Sequence, residues 1–172
     1  MHELGQMAES DKLTGFMTQE TFLDHLEQAV LRAKRYKDEL SLLFLEINYD
    51  YFEKKVDLKP NLAYWILKQM AGILQSKLRD VDLITRYNGD TIAILLPDTY
   101  EPGAKVMAER LRSAIENHLF VAEEEKISFK VALSIGVAIL GRHAETSKEL
   151  VAAAEKALKA ALEKGGNCFE VF

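Results

Sequence analysis

Four segments of the chain carry apolar residues at the three- and four-residue steps that are typical of amphipathic helices. The first follows Thr18 and has the apolar face Phe22, Leu26, Val30 and Ala33. The others are expected to begin at an Asn61 cap, near Glu101 and at a Ser147 cap. Their buried faces are predicted to be Leu62, Trp65, Ile66, Met70, Ile73 and Leu74, then Val106, Met107, Leu111 and Ile115, and finally an alanine-rich stripe after Leu150.

Short continuous apolar runs between these helices predict strands. SLLFLEIN at Ser41–Asn48 reads as a buried strand, and ISFKVALSIGVAIL from Ile127 as one long strand with a bulge or close approach at Gly136. RYNGDTIAILLP at Arg86–Pro97 predicts a hairpin, because Asn-Gly is the residue pair that a type I′ turn favours. A short strand, NCFEVF, closes the chain.

The order of elements is α, β, α, β-hairpin, α, β, α, β. It predicts an α/β (α+β) domain whose helices pack around a central, mostly antiparallel sheet. A length of 172 residues suits one such domain. Residues 1–10 are polar and read as a linker or the end of a preceding helix, and residues 11–172 as the domain.

Composition narrows the function. The net charge of −5 argues against a broad basic face for nucleic acid. No apolar run approaches the ~18 residues of a membrane span, and the start MHELGQMAES has no signal-peptide core. The single cysteine, Cys168, cannot form an internal disulfide. A cytoplasmic protein is the expectation.

Five segments, in order, resemble the motifs of one family. DKLTGF at 11–16 resembles DxLTGL, FLEIN at 44–48 lies where the family has a DxD strand, and RDVDLITRYNGDTIAILLP at 79–97 resembles RxxDxxxRxGGDEF and the strand after it. SIGVAIL at 134–140 and AAEKALKAALEKGGN at 153–167 resemble SxGVA and ADxALYxAKxxGRN. The chain therefore resembles a GGDEF domain, the module of diguanylate cyclases, which condense two GTP into cyclic di-GMP. The resemblance implies the palm-like fold of the nucleotidyl cyclases.

That reaction uses two metal ions held by carboxylates, and here the carboxylates are depleted. The Asp-x-Asp of the family is replaced by Glu46 and Asn48 around Ile47. At the hairpin tip Asp90 keeps the third-position acid of GGDEF, whereas Thr91 replaces the fourth-position glutamate. Glu46 and Asp90 could hold one Mg²⁺ weakly, and two ions are not expected. The alternative for Asp90 is a solvated turn carboxylate.

Positions that resemble the substrate-reading residues have changed as well. The glycine–histidine pair of the family loop becomes Lys59-Pro60, and its later Gly-Asp becomes Ala63-Tyr64, with Asp57 left nearby. Guanine would then lack its specificity contacts.

The phosphate-binding lysine of the family falls at Leu162, and the arginine of its GRN at Gly166. Lys164 is either a substitute or a helix-end cation. We therefore expect no cyclase activity, with Asp90 and Thr91 as vestiges of the catalytic tip.

The RxxD sequence of the family is kept as Arg79 and Asp82, and Arg110 in MAERLR resembles the arginine that the next helix contributes. The resemblance implies an inhibitory-type site for cyclic di-GMP. An arginine can stack on guanine or bind phosphate, and a carboxylate can accept from the guanine N1–H and amino group. The alternative is a charged turn with a solvated helix arginine.

Three hypotheses follow. The domain is a cyclic di-GMP receptor that signals to a partner or an attached sensory or output domain, or it retains cyclase or GTP-binding activity with Mg²⁺, or it dimerises or docks partners without nucleotide. A homodimer is compatible with each, and no cofactor is required by the first.

Overall fold

A computed structural model of the chain describes residues 10–49, 60–123 and 126–172. It contains four helices within these ranges, α1 (Gln19–Tyr36), α2 (Pro60–Lys77), α3 (Glu101–Glu116) and α4 (Ser147–Glu163). The strands are β1 (Leu40–Asn48), β2 (Leu83–Asn88), β3 (Thr91–Pro97), β4 (Phe120–Ala122), β5 (Ile127–Phe129), β6 (Ala132–Ile139) and β7 (Phe169–Val171).

Five of the strands form one sheet in the order β2-β3-β1-β6-β7. All neighbours pair antiparallel except β6 and β7, which are parallel. The sheet separates two apolar clusters, one under α2 and α3 and one under α1 and α4. The predicted architecture, helices around a mostly antiparallel sheet, is confirmed.

Most of the predicted helix faces are buried, including Phe22, Leu26, Met70 and Leu111. Val106 is an exception, because its side chain is 59 % exposed. The buried face of α3 follows Met107, Leu111 and Ile115 at four-residue steps, and Val106 lies about 100° away from Met107 around the helix. The prediction that Val106 points inward is therefore wrong.

Both residues that were predicted to cap helices lie inside those helices. Thr146 caps α4, since its Oγ1 accepts a hydrogen bond from the Glu149 amide at 3.1 Å, so Ser147 is the first helical residue. The second helix begins at Pro60, and Asn61 lies inside it. Proline suits a first helical position because the missing N–H has no partner there. Asp57 and Lys59 lie outside the described residues.

The hairpin forms as predicted, with a different turn. A register shift between Arg86 and Asn88 brings Asn88 opposite Thr91, which leaves Gly89 and Asp90 at the tip. Only Gly89 of these residues has a positive φ, of 38°. This is the φ pattern of a type II′ turn, whose first central residue is glycine. The type I′ turn at Asn88-Gly89 is therefore a wrong prediction.

The single long strand predicted from Ile127 is divided into two strands that belong to different sheets. Ile127–Phe129 pairs with Phe120–Ala122 as a separate two-stranded sheet, and β6 starts only at Ala132. The close approach at Gly136 is confirmed, because a Cβ there would lie 2.2 Å from the Leu158 amide nitrogen of α4.

Candidate functional site

The end of β1 and the tip of the β2–β3 hairpin lie together at one end of the sheet. Glu46 on β1 is directly opposite Thr91 on β3 and opposite Ser134 on β6. This pairing brings Glu46 close enough to the turn for the negative charge of Asp90 to matter. The pKa of Glu46 is raised, first because burial removes water and second because Asp90 is nearby.

Asp90 already has a partner. The Tyr49 hydroxyl donates a hydrogen bond to Asp90 Oδ1 at 2.9 Å, across the space between the end of β1 and the turn. Burial raises the pKa of Tyr49, and the charge and hydrogen bond of Asp90 raise it further, so the phenol stays a donor. This contact was not predicted from the sequence, where its signal is a tyrosine one residue beyond β1 that faces an acidic turn.

Asn48 is also engaged. The Ser134 hydroxyl donates to Asn48 Oδ1, and the same Ser134 Oγ accepts from the Asn167 amide at 3.2 Å. Gly166 lies beneath this pair with φ 79°, and a Cβ on it would come within 2.8 Å of Asn48 Oδ1. Position 166 therefore has room for glycine alone in this conformation.

These donors do not fit a pair of magnesium ions. Mg²⁺ demands oxygen ligands in near-octahedral geometry, and carboxylates usually supply the charge. Within the described ranges, no three acidic, histidine or cysteine side chains form a metal-binding cluster. Glu46 and Asp90 are the two candidate acids, one partly desolvated and the other bound by Tyr49.

A small pocket of about 220 Å³ adjoins the hairpin tip. Arg86 faces it, with Nε donating to the Gly89 carbonyl at 2.9 Å and Nη1 lying 3.8 Å from Asp11 Oδ1. The other lining residues are Ala63, Tyr64, Leu67, Gly89 and Asp90. Apart from Arg86, this lining offers no cation to a phosphate among the residues that the structure describes.

Leu162 and Gly166, which lie where the family has a phosphate-binding lysine and arginine, carry no charge, and Lys164 is the nearby cation. Leu162 packs partly buried against the apolar cluster under α1 and α4. Lys164 pairs with Glu170 at 2.6 Å, and this contact raises the lysine pKa. Lys164 thus behaves as a surface ion-pair partner.

Arg79 and Asp82 face each other at the turn between α2 and β2. The Asp82 side chain is fully buried, and Arg79 Nη2 donates to its Oδ1 at 2.8 Å. Asp82 Oδ2 accepts from the Arg79 backbone amide at 2.8 Å and from its Nε at 3.3 Å. A bidentate arginine–carboxylate pair of this kind holds the guanidinium in a fixed plane.

The Arg79 guanidinium also donates hydrogen bonds to the end of β3 and the turn that follows it. Its Nη2 also contacts the Pro97 carbonyl oxygen at 2.8 Å and Thr99 Oγ1 at 2.9 Å. About half of the side-chain surface, 48 %, nevertheless stays exposed. Arg79 is thus preorganised and still accessible.

The exposed part of Arg79 faces a cleft of about 710 Å³ between this turn and α3. Arg110 lines the same cleft from α3, so the structure brings the two sequence-predicted arginines together. Asp82 lies behind Arg79 and does not line the cleft. The remaining lining residues are Glu39, Leu96, Asp98, Thr99, Tyr100, Pro102, Gly103, Val106 and Met107.

Arg112 takes no part in this cleft. It forms a two-bond contact with Glu109, and its Nη1 reaches Glu116 and, at 3.0 Å, Asn167 Oδ1. Hydrogen bonds from Arg112 hold the pKa of both glutamates below the usual range. The network ties α3 to the turn before β7.

Comparison with known proteins identifies the family of this domain. The family model described as "Diguanylate cyclase, GGDEF domain" matches residues 8–168. The chain belongs to the GGDEF domain family. No helix in the described part of this GGDEF domain is both long and apolar enough to cross a membrane.

Among curated relatives, the response regulator PleD of Caulobacter vibrioides is 29 % identical over 163 residues, which are 94 % of this chain and 36 % of PleD. Diguanylate cyclase DgcP of Pseudomonas aeruginosa is 32 % identical over 167 residues, 96 % of this chain and 24 % of DgcP. The chain thus spans about a third or less of the length of these relatives.

Solved structures share the fold. The GGDEF domain of DgcB from Caulobacter crescentus, in complex with c-di-GMP, has a TM-score of 0.88 at 18 % identity, over 95 % of this chain and 93 % of that one. The FimX GGDEF domain from Pseudomonas aeruginosa has a TM-score of 0.84 at 25 % identity, over 95 % and 98 %.

Proposed function

We propose that this GGDEF domain does not synthesise cyclic di-GMP and instead binds it as a receptor, in the cleft lined by Arg79 and Arg110, with Asp82 supporting Arg79. The observation that carries the proposal is the contrast between two places on one fold. The site at the hairpin tip has lost the groups that metal-dependent catalysis needs, whereas the cleft keeps two arginines on different elements.

At the hairpin tip, the contacts of the remaining side chains argue against catalysis in addition to the changes of residue type. Asp90 is bound by Tyr49, Asn48 is bound by Ser134, and Gly166 has no space for a side chain. Asp90 and Asn48 are thus bound by protein partners, and residue 166 cannot carry a cationic side chain in this conformation. Phosphoryl transfer depends on positioned charges, so this many losses argue against turnover.

The cleft has the chemistry of a cyclic dinucleotide site. The ligand carries two phosphodiester anions and two guanine bases, and arginine guanidinium groups bind phosphate and stack on bases. The Arg79 guanidinium is oriented before any ligand arrives by hydrogen bonds to three groups, the Asp82 carboxylate, the Pro97 carbonyl and the Thr99 hydroxyl, which lowers the entropic cost of binding. The complex of DgcB with c-di-GMP gives a precedent for this ligand on the same fold.

Isothermal titration calorimetry with cyclic di-GMP tests the proposal. We expect saturable binding to the wild-type chain and a loss of about tenfold or more in affinity for Arg79→Ala and for Arg110→Ala. Arg35→Ala is the charge-matched control, because Arg35 is exposed on α1 and does not line the cleft. Absence of binding to the wild-type chain would exclude a receptor role.

A second candidate function is residual binding or turnover of GTP with Mg²⁺. The observation that favours it is that Glu46 lies opposite Thr91, the residue after Asp90, so two acids remain at the same end of the sheet. Incubation of the purified chain with GTP and Mg²⁺, followed by chromatography of the nucleotides, tests it. Product formation that stops in Asp90→Asn would replace our proposal with this one.

The third candidate, a nucleotide-free dimerisation or docking domain, is what remains if neither ligand binds. Diguanylate cyclase SiaD from Pseudomonas aeruginosa, solved in complex with its activator SiaC, has a TM-score of 0.86 at 24 % identity over 99 % of this chain and 65 % of that one, and is a precedent for a protein that has this fold and a protein partner. Sedimentation with and without cyclic di-GMP would measure a homodimer directly.

A further inference from the structure

We propose that the solvent-exposed face of α1 is a self-complementary docking surface for a second copy of this chain, which it binds with the two α1 helices antiparallel about a two-fold axis near Leu31. The α1 face consists of Asp24, Glu27, Leu31, Lys34 and Arg35. None of these residues lines the arginine cleft, so the inference goes beyond the proposed function and does not depend on it.

The α1 face carries opposite charges in its two halves. Asp24 and Glu27 are exposed in the first half of the helix, and Lys34 and Arg35 are exposed at its end. Leu31 lies between the two halves, and 59 % of its side chain is exposed. At about 100° per residue these five positions fall within an arc of about 100°, turned away from the buried side of the helix. They therefore form one continuous stripe, acidic, then apolar, then basic.

These charges have no partners within the protein. Among the residues that the structure describes, the ion pairs and side-chain hydrogen bonds include none of the four charged side chains of the α1 face. Arg35 lies over the Tyr36 ring, 5.5 Å from its centroid, and this contact leaves the charge without a counterion. Asp24 and Glu27 are three residues apart, a spacing at which like charges on a helix repel each other. The arrangement therefore stabilises α1 less than alternating charges would.

The helix dipole accounts for only part of the pattern. It favours acids in the first turn and bases in the last, where Glu20 and the pair Lys34 and Arg35 lie. Asp24 and Glu27 are the sixth and ninth residues of the 18-residue helix, and the dipole effect has faded at that distance from the end. The dipole also gives no reason for an exposed leucine at the boundary between the charges.

An antiparallel pair of α1 helices gives every one of these side chains a partner. With the two-fold axis level with residue 30, Asp24 and Arg35 lie about 9 and 7.5 Å from it along the helix in opposite directions, and Glu27 and Lys34 about 4.5 and 6 Å. Asp24 and Arg35 also share one side of Leu31 around the helix, and Glu27 and Lys34 share the other. Asp24 thus meets Arg35 of the other copy, and Glu27 meets Lys34.

The symmetry doubles each contact. Two copies form four ion pairs, and the two Leu31 side chains meet beside the axis, as expected for an interface that uses the same patch on both subunits. A parallel pair would instead place Asp24 beside Asp24 and Lys34 beside Lys34. One helix pair buries less than the ~1,200 Å² of a stable interface, so the dimer is weak and its ion pairs determine its orientation.

Sedimentation equilibrium of charge-reversed variants tests the pairing. We expect wild-type to self-associate at about 50 mM salt and less at about 500 mM, because exposed charges are screened. Glu27→Lys and Lys34→Glu should each weaken the dimer by about tenfold or more, since each turns two attractions into repulsions. The double variant Glu27→Lys with Lys34→Glu restores opposite charges across the axis and should return to wild-type affinity.

Two variants on α4 control for net charge. Glu163→Lys and Lys159→Glu make the same changes in charge at exposed positions away from α1, and should leave the dimer unchanged. Circular dichroism of every variant shows whether it folds. The double variant has the composition of wild-type, so its recovery cannot come from net charge.

A cysteine at position 31 tests the place of the axis independently. Helices packed 8–10 Å apart would bring the two Leu31 Cα atoms to about 5 Å, a separation that a disulfide spans. Leu31→Cys should therefore give a disulfide-linked dimer on mild oxidation. Gln69→Cys, at an exposed position of α2, is the control and should stay monomeric under the same conditions, as should wild-type with Cys168.

Each contrary result overturns the inference. Wild-type that stays monomeric up to about 1 mM has no α1 dimer of useful affinity. A wild-type dimer that both reversals leave intact uses another face of the domain. A double variant as weak as the single ones would mean that Glu27 and Lys34 do not meet. In all three cases the receptor proposal stands, because calorimetry with cyclic di-GMP measures a different surface.

Discussion

The side-chain oxygen of Asn48 lies 2.8 Å from the point where the first carbon of any side chain at residue 166 would have to be. Asn48 ends β1, and Gly166 belongs to the turn after α4, so residues far apart in the sequence exclude each other here. Ser134 fixes the arrangement by donating to the same oxygen. The Asn48 oxygen therefore limits what residue 166 can be in this conformation.

Gly166→Ala is expected to destabilise the fold by about 2 kcal/mol, because φ of 79° is strained for alanine and the new methyl meets Asn48. Gly165→Ala is the matched control, since Gly165 also has a positive φ, 109°, but has open space around it. Urea denaturation of both variants measures the difference. Equal losses would mean that the Asn48 contact contributes nothing and that backbone strain accounts for the whole effect.

Glu46→Gln should stabilise the fold at neutral pH. The folded-state pKa of Glu46 is raised above its usual value of 4.5, so the protonated form favours folding. That contribution is present below the unfolded pKa and is lost as the pH rises through the folded pKa. We expect Glu46→Gln to gain stability at about pH 7.5 and little at about pH 4, with exposed Glu39→Gln unchanged at both. A gain of equal size at the two pH values would exclude a titration effect.

Local hydrophobic patterns in the sequence predicted most of the fold but not all of it. Alternating helical and strand patterns identified the helices and the five-stranded sheet, because burial of apolar faces follows local periodicity. Gly136 was predicted as a bulge or close approach for another reason, because glycine inside a strand often marks one. The prediction for Val106 is wrong because the buried face of α3 continues from Met107 to Ala108 and not to Val106, and apolar character alone does not distinguish these two sides. The break between β5 and β6 falls at Lys130 and Val131, within a run that is otherwise apolar enough for one strand.

The sequence identified candidate site residues but not the contacts between them. Arg79 and Arg110, both singled out by the family resemblance, line one cleft, whereas Asp82 does not line it. The hydrogen bond from Arg79 Nη2 to Thr99 Oγ1 joins residues 20 positions apart, and it depends on the conformation of the turn after β3. The Tyr49–Asp90 bond depends likewise on the register shift that moves the hairpin tip by one residue. Neither relation has a local pattern in the sequence.

His143 should make stability fall at acidic pH. Burial, and then the charge of Arg142, lower its pKa from 6.5, and its Nδ1 accepts from the Ile139 amide at 3.0 Å. Protonation would destroy that acceptor, so the contribution is present above the unfolded pKa and is lost as the pH falls through the folded one. His143→Asn keeps an acceptor that does not titrate, and should flatten the stability profile between about pH 7.5 and about pH 5.

The control for this titration is His25→Asn, because His25 is exposed on α1. Denaturation midpoints over the same pH range compare the two variants. If the wild-type and His143→Asn profiles stay parallel, the acid loss comes from other groups.

Gly136→Ala tests how closely the central strand approaches α4. The new methyl would lie 2.2 Å from the Leu158 nitrogen and 2.4 Å from the Ala154 carbonyl oxygen, both of them backbone atoms that cannot rotate away. We expect a loss of about 3 kcal/mol or more, or failure to fold. Gly72→Ala is the control, since Gly72 is helical with open space, and should gain about 0.5–1 kcal/mol. A thermal melt that leaves Gly136→Ala near wild-type would mean that α4 can move outward.

Asp82→Ala should expose the positioning role of the buried carboxylate. It leaves the Arg79 amide and guanidinium without their acceptor, which we expect to cost about 2 kcal/mol of stability, with exposed Asp80→Ala near neutral. Because the released arginine loses its fixed plane, affinity for cyclic di-GMP and for cyclic di-AMP should fall by similar factors. A loss confined to cyclic di-GMP would instead mean that Asp82 itself contacts guanine. Paired calorimetry and denaturation of the same protein samples distinguish a positioning residue, which changes both ligands and the fold, from one that reads the base.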